Sequence, residues 1–123
     1  MKQENKELLL KDLCARLPYG VKISVNDKVE SLQGINILDN VIEYGSFLSS
    51  DTEEVKPYLF PLSSMTEEQD KEFALLQTSS GKEGFLYAWN CANMMDWLIK
   101  NHFDINGLIP KGMAIDATGL NIY

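Results

Sequence analysis

The sequence predicts an α+β domain, because helix-like and strand-like hydrophobic periods occupy separate parts of the chain. An amphipathic run opens it, three short alternating runs joined by turn residues follow, and two helical runs and a short extended tail close it. The expected architecture is an N-terminal helix, a three-stranded antiparallel meander, two C-terminal helices and the tail, in a single globular domain over residues 1–123. A chain of this length buries somewhat over ~60% of its unfolded surface, enough for one core.

The first helix is expected from a cap at Asn5 to about Leu17. It carries Leu9, Leu10, Leu13, Cys14 and Leu17 on adjoining faces and Glu7–Lys11 and Asp12–Arg16 as i,i+4 pairs, and Pro18 and Gly20 end it. Val21-Lys22-Ile23-Ser24-Val25 alternates as a strand. Asn26-Asp27-Lys28 then reads as a three-residue hairpin loop setting Val25 against Val29, in preference to a two-residue turn setting Val25 against Lys28. At the next hairpin, a two-residue turn at Asp39-Asn40 pairs Leu38 with Val41, Ile37 with Ile42 and Ile35 with Tyr44. Residues 45–64 read as loop, and Pro57 and Pro61 restrict Tyr58-Leu59-Phe60 to an edge strand or an extended clamp, because each removes an N–H donor.

Thr66-Glu67-Glu68-Gln69 has the form of a capping box and starts a helix running to about residue 77. After a Ser/Gly-rich hinge, residues 85–103 form the most hydrophobic helix, expected to pack on the meander against Ile35, Ile37 and Ile42. Beyond it, Leu108-Ile109 and Met113-Ala114-Ile115 read as short extended pieces around a tight turn at Pro110-Lys111-Gly112.

The net charge of −7 resides in residues 39–72, where Asp39, Glu43, Asp51, Glu53, Glu54, Glu67, Glu68, Asp70 and Glu72 face only Lys56 and Lys71. The rest of the chain is balanced. This asymmetry argues against direct nucleic-acid binding, as do the dispersed basic residues, and leaves a basic protein surface or a cation as the attractive partners. The acids after Thr66 have a structural explanation, since carboxylates in a first helical turn complement its free N–H groups. Asp51, Glu53 and Glu54 do not, and are candidate partner-binding residues.

No apolar run has the length of a signal peptide or of the ~20-residue membrane span, so a cytoplasmic protein is expected. Cys14 and Cys91 are then reduced, on apolar helix faces. Cys91 and His102, eleven residues apart on one helix, stand roughly 16 Å from each other, too far for a nucleophile pair. No metal-ligand spacing, phosphate loop, dinucleotide motif or nucleophile elbow occurs, so neither a catalytic residue nor a metal or cofactor is assigned. His102 is expected to cap its helix. An alternative enzyme reading, hydrolase-like, assembles His102, Asp104 and a serine of Ser63-Ser64 in the fold.

Leu86, Trp89 and Trp97 project from the polar half of the long helix. They are either covered, by the first helix or the tail, as a second core layer, or they form an apolar binding patch.

Three stretches carry a resemblance: Glu7-Leu8-Leu9-Leu10-Lys11-Asp12-Leu13-Cys14-Ala15-Arg16-Leu17-Pro18-Tyr19-Gly20-Val21-Lys22, Lys56-Pro57-Tyr58-Leu59-Phe60-Pro61-Leu62-Ser63-Ser64-Met65-Thr66-Glu67-Glu68, and Asp96-Trp97-Leu98-Ile99-Lys100-Asn101-His102-Phe103-Asp104-Ile105-Asn106-Gly107-Leu108-Ile109-Pro110. Together the chain resembles a family of small proteins, common in gut Bacteroides-type genomes and their prophages, to which no activity is assigned. The family often has Arg at the position of Phe60 and Tyr-Arg at Ile105-Asn106, so any basic site those residues make is not carried here. The resemblance implies a cytoplasmic, mobile-element-associated protein. With the charge pattern, it leads to the expectation of a non-catalytic protein-interaction module using the acidic surface or the aromatic patch.

Overall fold

The structure, a computed structural model, describes residues 2–45, 48–78 and 84–123, with side chains except those of residues 77–78 and 84–88. It is α+β: an N-terminal helix, a six-stranded mixed sheet and two later helices.

Helix α1 (Gln3–Arg16) begins ahead of Asn5, with Lys2 at its cap and no side-chain cap bond. It ends in a single 3-10 turn, Leu17–Tyr19, after which Gly20 takes φ +69° and redirects the chain into the sheet. The strands are β1 (Lys22–Val25), β2 (Lys28–Asn36), β3 (Val41–Tyr44), β4 (Leu48–Asp51), β5 (Val55–Leu59) and β6 (Ile115–Asp116), in the order β4-β3-β2-β1-β5-β6. All neighbours are antiparallel except β5 and β6. The expected three-stranded meander is therefore half of the sheet.

Both hairpin registers differ from expectation. Asn26 and Asp27 have φ +52° and +63°, so they form a two-residue turn of the twist-compatible primed kind, and Val25 opposes Lys28 rather than Val29. At the second hairpin the loop has four residues, 37–40, and Ile35 opposes Ile42 while Asn36 opposes Val41. The cause is Asn36: its Nδ2 donates to Asp39 Oδ2 (3.0 Å) and its Oδ1 accepts the Asp39 N–H (3.2 Å), an Asx-type bond across three residues that starts the reversal ahead of Asp39-Asn40. The shift is two residues, so Ile35 and Ile42 still share a face, but Ile37 is lifted into the loop and is 64% exposed. Beyond Gly34 a bulge lets Leu32 oppose Tyr44.

Strand β4 comes from a stretch expected to be loop. Pro57 stands in β5 between β1 and β6, not on a true edge strand. Its missing N–H costs no ladder bond: the two-residue turn makes Ser24 bond toward β5, opposite Lys56, so the backbone of Pro57 faces outward, where β6 pairs only with Tyr58 and Leu59.

One face of the sheet is covered by α1, not by the long helix. Leu9 and Leu13 cluster with Ile23, Val25, Leu32, Ile42, Val55 and Leu59, and Leu108, Met113 and Ala114 complete the core. Each fully buried aliphatic side chain contributes ~1.5–3 kcal/mol by leaving water. The tail thus fills the core beside α1, and Leu108-Ile109 lies in a turn, not an extended piece. Cys14 is exposed and Cys91 half-buried, both as free thiols, so only Cys91 keeps the packing role expected of the pair.

Helix α2 (Glu67–Thr78) has the expected box: Thr66 Oγ1 accepts the Gln69 N–H (3.1 Å) and Gln69 Oε1 accepts the Thr66 N–H (3.0 Å). Helix α3 (Gly84–Lys100) packs on α2. Of the hinge expected over residues 78–84, Thr78 ends α2, Gly84 begins α3, and residues 79–83 lie outside the described residues. No helix among the described residues is long and apolar enough to cross a membrane.

Candidate functional site

The end of α3 sets the geometry around the single histidine. The N–H of His102 bonds to the carbonyl of Ile99 (3.0 Å) and that of Phe103 to the carbonyl of Leu98 (2.9 Å), while His102 takes φ +66°. These are the two bonds of a Schellman cap, with His102 where glycine is usual and the buried pair Phe103 and Leu98 as its apolar contact. The expected cap is made, but by backbone rather than by a cationic side chain. The imidazole stacks on the Tyr123 ring at 3.7 Å, 11° from parallel. Burial, with Arg16 nearby, lowers its pKa to about 4, so the ring is neutral at pH 7.

Arg16 is fully buried. Its Nε and Nη2 bond to Asp12 Oδ2 (2.7 Å) and Oδ1 (3.1 Å), and Nη2 also donates to the Phe103 carbonyl (2.7 Å). Asn106 Nδ2 donates to Asp12 Oδ1 (2.9 Å). A pair legible in the sequence only as i,i+4 neighbours is thus the rivet between α1 and the segment following α3.

Asp104 is buried, and both its oxygens are engaged: Oδ1 accepts the Leu108 N–H and Oδ2 the Ile109 N–H, each at 2.9 Å. Ser64 Oγ donates to the Pro61 carbonyl (2.7 Å) and lines a shallow groove of roughly 250 Å³ with Phe60, Phe103 and Thr118. His102, Asp104 and Ser64 thus each serve a different backbone turn or stack, and no hydrogen bond joins them among the described residues. Ser63 is exposed.

Tyr123 extends the same joint. Its hydroxyl accepts the Lys22 N–H (2.8 Å) and donates to the Tyr58 carbonyl (2.7 Å), replacing the rung that β1 and β5 would form beyond Ile23 and Pro57. Burial pushes its pKa up to about 12, against the opposing effects of the Lys22 bond and Arg16.

The expected aromatic patch is only partly assembled. Trp97 is half-buried, its ring 5.5 Å from Phe73 of α2 and stacked on Phe103 at 5.8 Å and 15°. Trp89 is 61% exposed, and the Leu86 side chain lies outside the described residues.

The acidic candidates do come together. Asp51 ends β4, and Glu53 and Glu54 sit on the 3-10 turn Thr52–Glu54 that links β4 to β5. Two hollows flank this turn. One, of roughly 240 Å³, is lined by Lys6, Asp39, Asn40, Asp51, Thr52 and Glu53. The other, of roughly 320 Å³, includes Asp27, Glu53, Glu54 and Lys56. Lys6 Nζ pairs with Glu53 at 2.9 Å and lowers that carboxyl's pKa. The turn is held by Thr52, buried, whose N–H and Oγ1 both bond to the Asn40 carbonyl (3.2 and 2.8 Å). Five acids, Asp27, Asp39, Asp51, Glu53 and Glu54, therefore line the two hollows on either side of this turn, with Lys6 in one and Lys56 in the other.

Asp27 was not legible as part of this surface, because its proximity depends on β1 pairing with β5, which no local pattern announces. Asp39 could have been found: a strand after Gly45 folding back on β3 places its end beside the 39–40 turn. No group of three or more His, Cys, Asp or Glu among the described residues is arranged to hold a metal ion.

No family model, curated protein or solved structure matches the chain.

Proposed function

We propose that this chain is a non-catalytic protein-interaction module that presents its acidic end to a basic partner protein, inside the cell and in the mobile-element setting its sequence resemblance implies. The observation that carries this reading is the clustering of five carboxylates around the Thr52–Glu54 turn against two lysines. Exposed like charges at this density raise encounter rates with an oppositely charged surface and repel wrong partners. Against the hydrolase alternative stands the engagement of its three groups: Asp104 is saturated by backbone N–H groups, the Ser64 hydroxyl is committed to Pro61, and the His102 ring is stacked on Tyr123. The half-burial of Trp97 makes the aromatic surface the weaker of the two candidates.

Capture of partners from the native host by the intact protein tests this reading, at ~0.1 M and ~1 M salt, where the screening length falls from ~10 Å to ~3 Å. The reading predicts a basic partner held at low salt, released at high salt and lost when Asp51, Glu53 and Glu54 are all changed to Lys. A partner retained regardless of salt and charge reversal contradicts it.

A further inference from the structure

The sheet ends at β4, and among the described residues no strand pairs with its outer side. The ladder shows which backbone groups are left open. The Thr52 N–H donates to the Asn40 carbonyl, and this pair continues the register in which Asp51 opposes Val41 and Ser50 opposes Ile42. Hydrogen-bonded and non-bonded pairs alternate in an antiparallel ladder, so Ser50 and Leu48 bond inward to β3. The N–H and C=O groups of Ser49 and Asp51 therefore point away from the sheet.

Side chains sort the same way. Ser50 and Leu48 share the core face with their partners Ile42 and Tyr44, and Ser50 Oγ lies 3.3 Å from the Tyr44 hydroxyl. Leu48 remains 51% exposed there. Ser49 and Asp51 lie on the opposite face, with Glu43. Natural edges are guarded by charged side chains, proline, bulges or brevity, and Leu48-Ser49-Ser50-Asp51 has only its shortness and the one charge at its end.

We propose that β4 is a strand-addition site for an extended, cationic segment of a partner protein, a proposal that rests on the acidic-end reading above. Charge selects the occupant. Asp51 lies on the edge itself, beside the hollow where Asp39 and Asp51 add two further carboxylates to the Lys6–Glu53 pair and offer a basic side chain its counter-charges. A second copy of this chain is disfavoured, because each molecule carries −7 and like net charges repel. In an antiparallel addition, partner residues opposite Ser49 and Asp51 take the open backbone bonds and turn their side chains to the acidic face, while their neighbours face Leu48. The recognised pattern is Lys or Arg alternating with an aliphatic residue.

A blocked Lys-Val-Lys-Val-Lys-Val peptide, titrated into the intact protein, tests this alternation. Two N-methylated versions separate backbone bonding from charge: methylation of the Lys amides blocks the face toward β4, and methylation of the Val amides blocks the outer face. The expected result is binding that weakens about tenfold or more on Lys-amide methylation and changes less than about twofold on Val-amide methylation. Ser49→Pro, which removes an outward N–H, should lose binding equally, and the glutamate counterpart of the peptide should not bind. If Ser49→Pro does not fold, the methylated peptides carry the test on the unchanged protein. No binding of the Lys-Val peptide, or equal effects of the two methylations, overturns strand addition. In the second case, sensitivity to salt and to Asp51→Lys leaves the acidic-end reading standing. Binding that needs the Lys amides but ignores salt and Asp51→Lys contradicts the cationic occupant and the acidic-end reading together. Self-association abolished by Ser49→Pro, with no peptide binding, makes the occupant a second copy and overturns the proposal.

Discussion

Arg16, the chain's one arginine, is held between Asp12 and the Phe103 carbonyl without water access. Such a pair adds little to stability compared with an apolar replacement, but its separate halves are costly to remove, because each leaves the other charge buried. Asp12→Ala should therefore lower the unfolding free energy by ~3–5 kcal/mol, whereas Asp12→Ala with Arg16→Met should recover much of that loss in urea denaturation. A cost under ~1 kcal/mol for the single change would return the pair to the helix surface. The i,i+4 spacing was legible in the sequence; its burial was not, because that depends on Phe103 and Asn106, far along the chain.

His102 carries the second prediction at this scale. Its folded pKa of about 4 lies below the ordinary 6.5, so the unfolded chain takes up the proton first. Stability is then complete above pH 6.5 and falls as pH drops through 4. Because the chain has one histidine, its ring signals can be followed by NMR without ambiguity. A midpoint near 6.5 in the folded protein would refute the neutral stack. His102→Asn, which tolerates the left-handed backbone, should lose this part of the pH dependence while keeping the cap.

At the scale of elements, turns decided where local reading succeeded. The capping box at Thr66 is a four-residue pattern with one geometric solution, and the structure has it. The hairpins were harder, since Asn and Asp can start an Asx turn or occupy left-handed turn positions, and composition alone does not say which. Asn36 took the first role and Asn26-Asp27 the second, so both registers moved. Asp27→Gly should relieve the positive φ and raise stability by ~0.5–1 kcal/mol in thermal unfolding; a loss would contradict the two-residue turn. Strand β4 was hidden because Leu48-Ser49-Ser50-Asp51 has neither alternation nor β-branched residues. It exists through pairing with β3 and the Thr52 anchor, which are tertiary facts.

The whole molecule keeps the predicted class and exchanges the predicted partners. Helix periodicity in residues 85–103 marks an apolar face but not what it meets, and α1, with Leu9 and Leu13, took the sheet instead. Trp97 then became the contact between α2, α3 and Phe103, so Trp97→Ala should cost ~3 kcal/mol or more in unfolding free energy, a test that an unchanged thermal midpoint would fail. The acidic bias of the sequence, by contrast, survived folding as a surface. Acids from three separate turns and the end of β4 line two hollows around the Thr52–Glu54 turn, one of them beside the open edge.

Backbone amide hydrogen exchange, resolved residue by residue and compared with and without the Lys-Val peptide, tests that convergence most directly. The account predicts new protection at the outward amides of Ser49 and Asp51, with the inward amide of Ser50 already protected by β3 and little altered. Protection appearing instead around Trp89 on α3, with Ser49 and Asp51 unchanged, would contradict it.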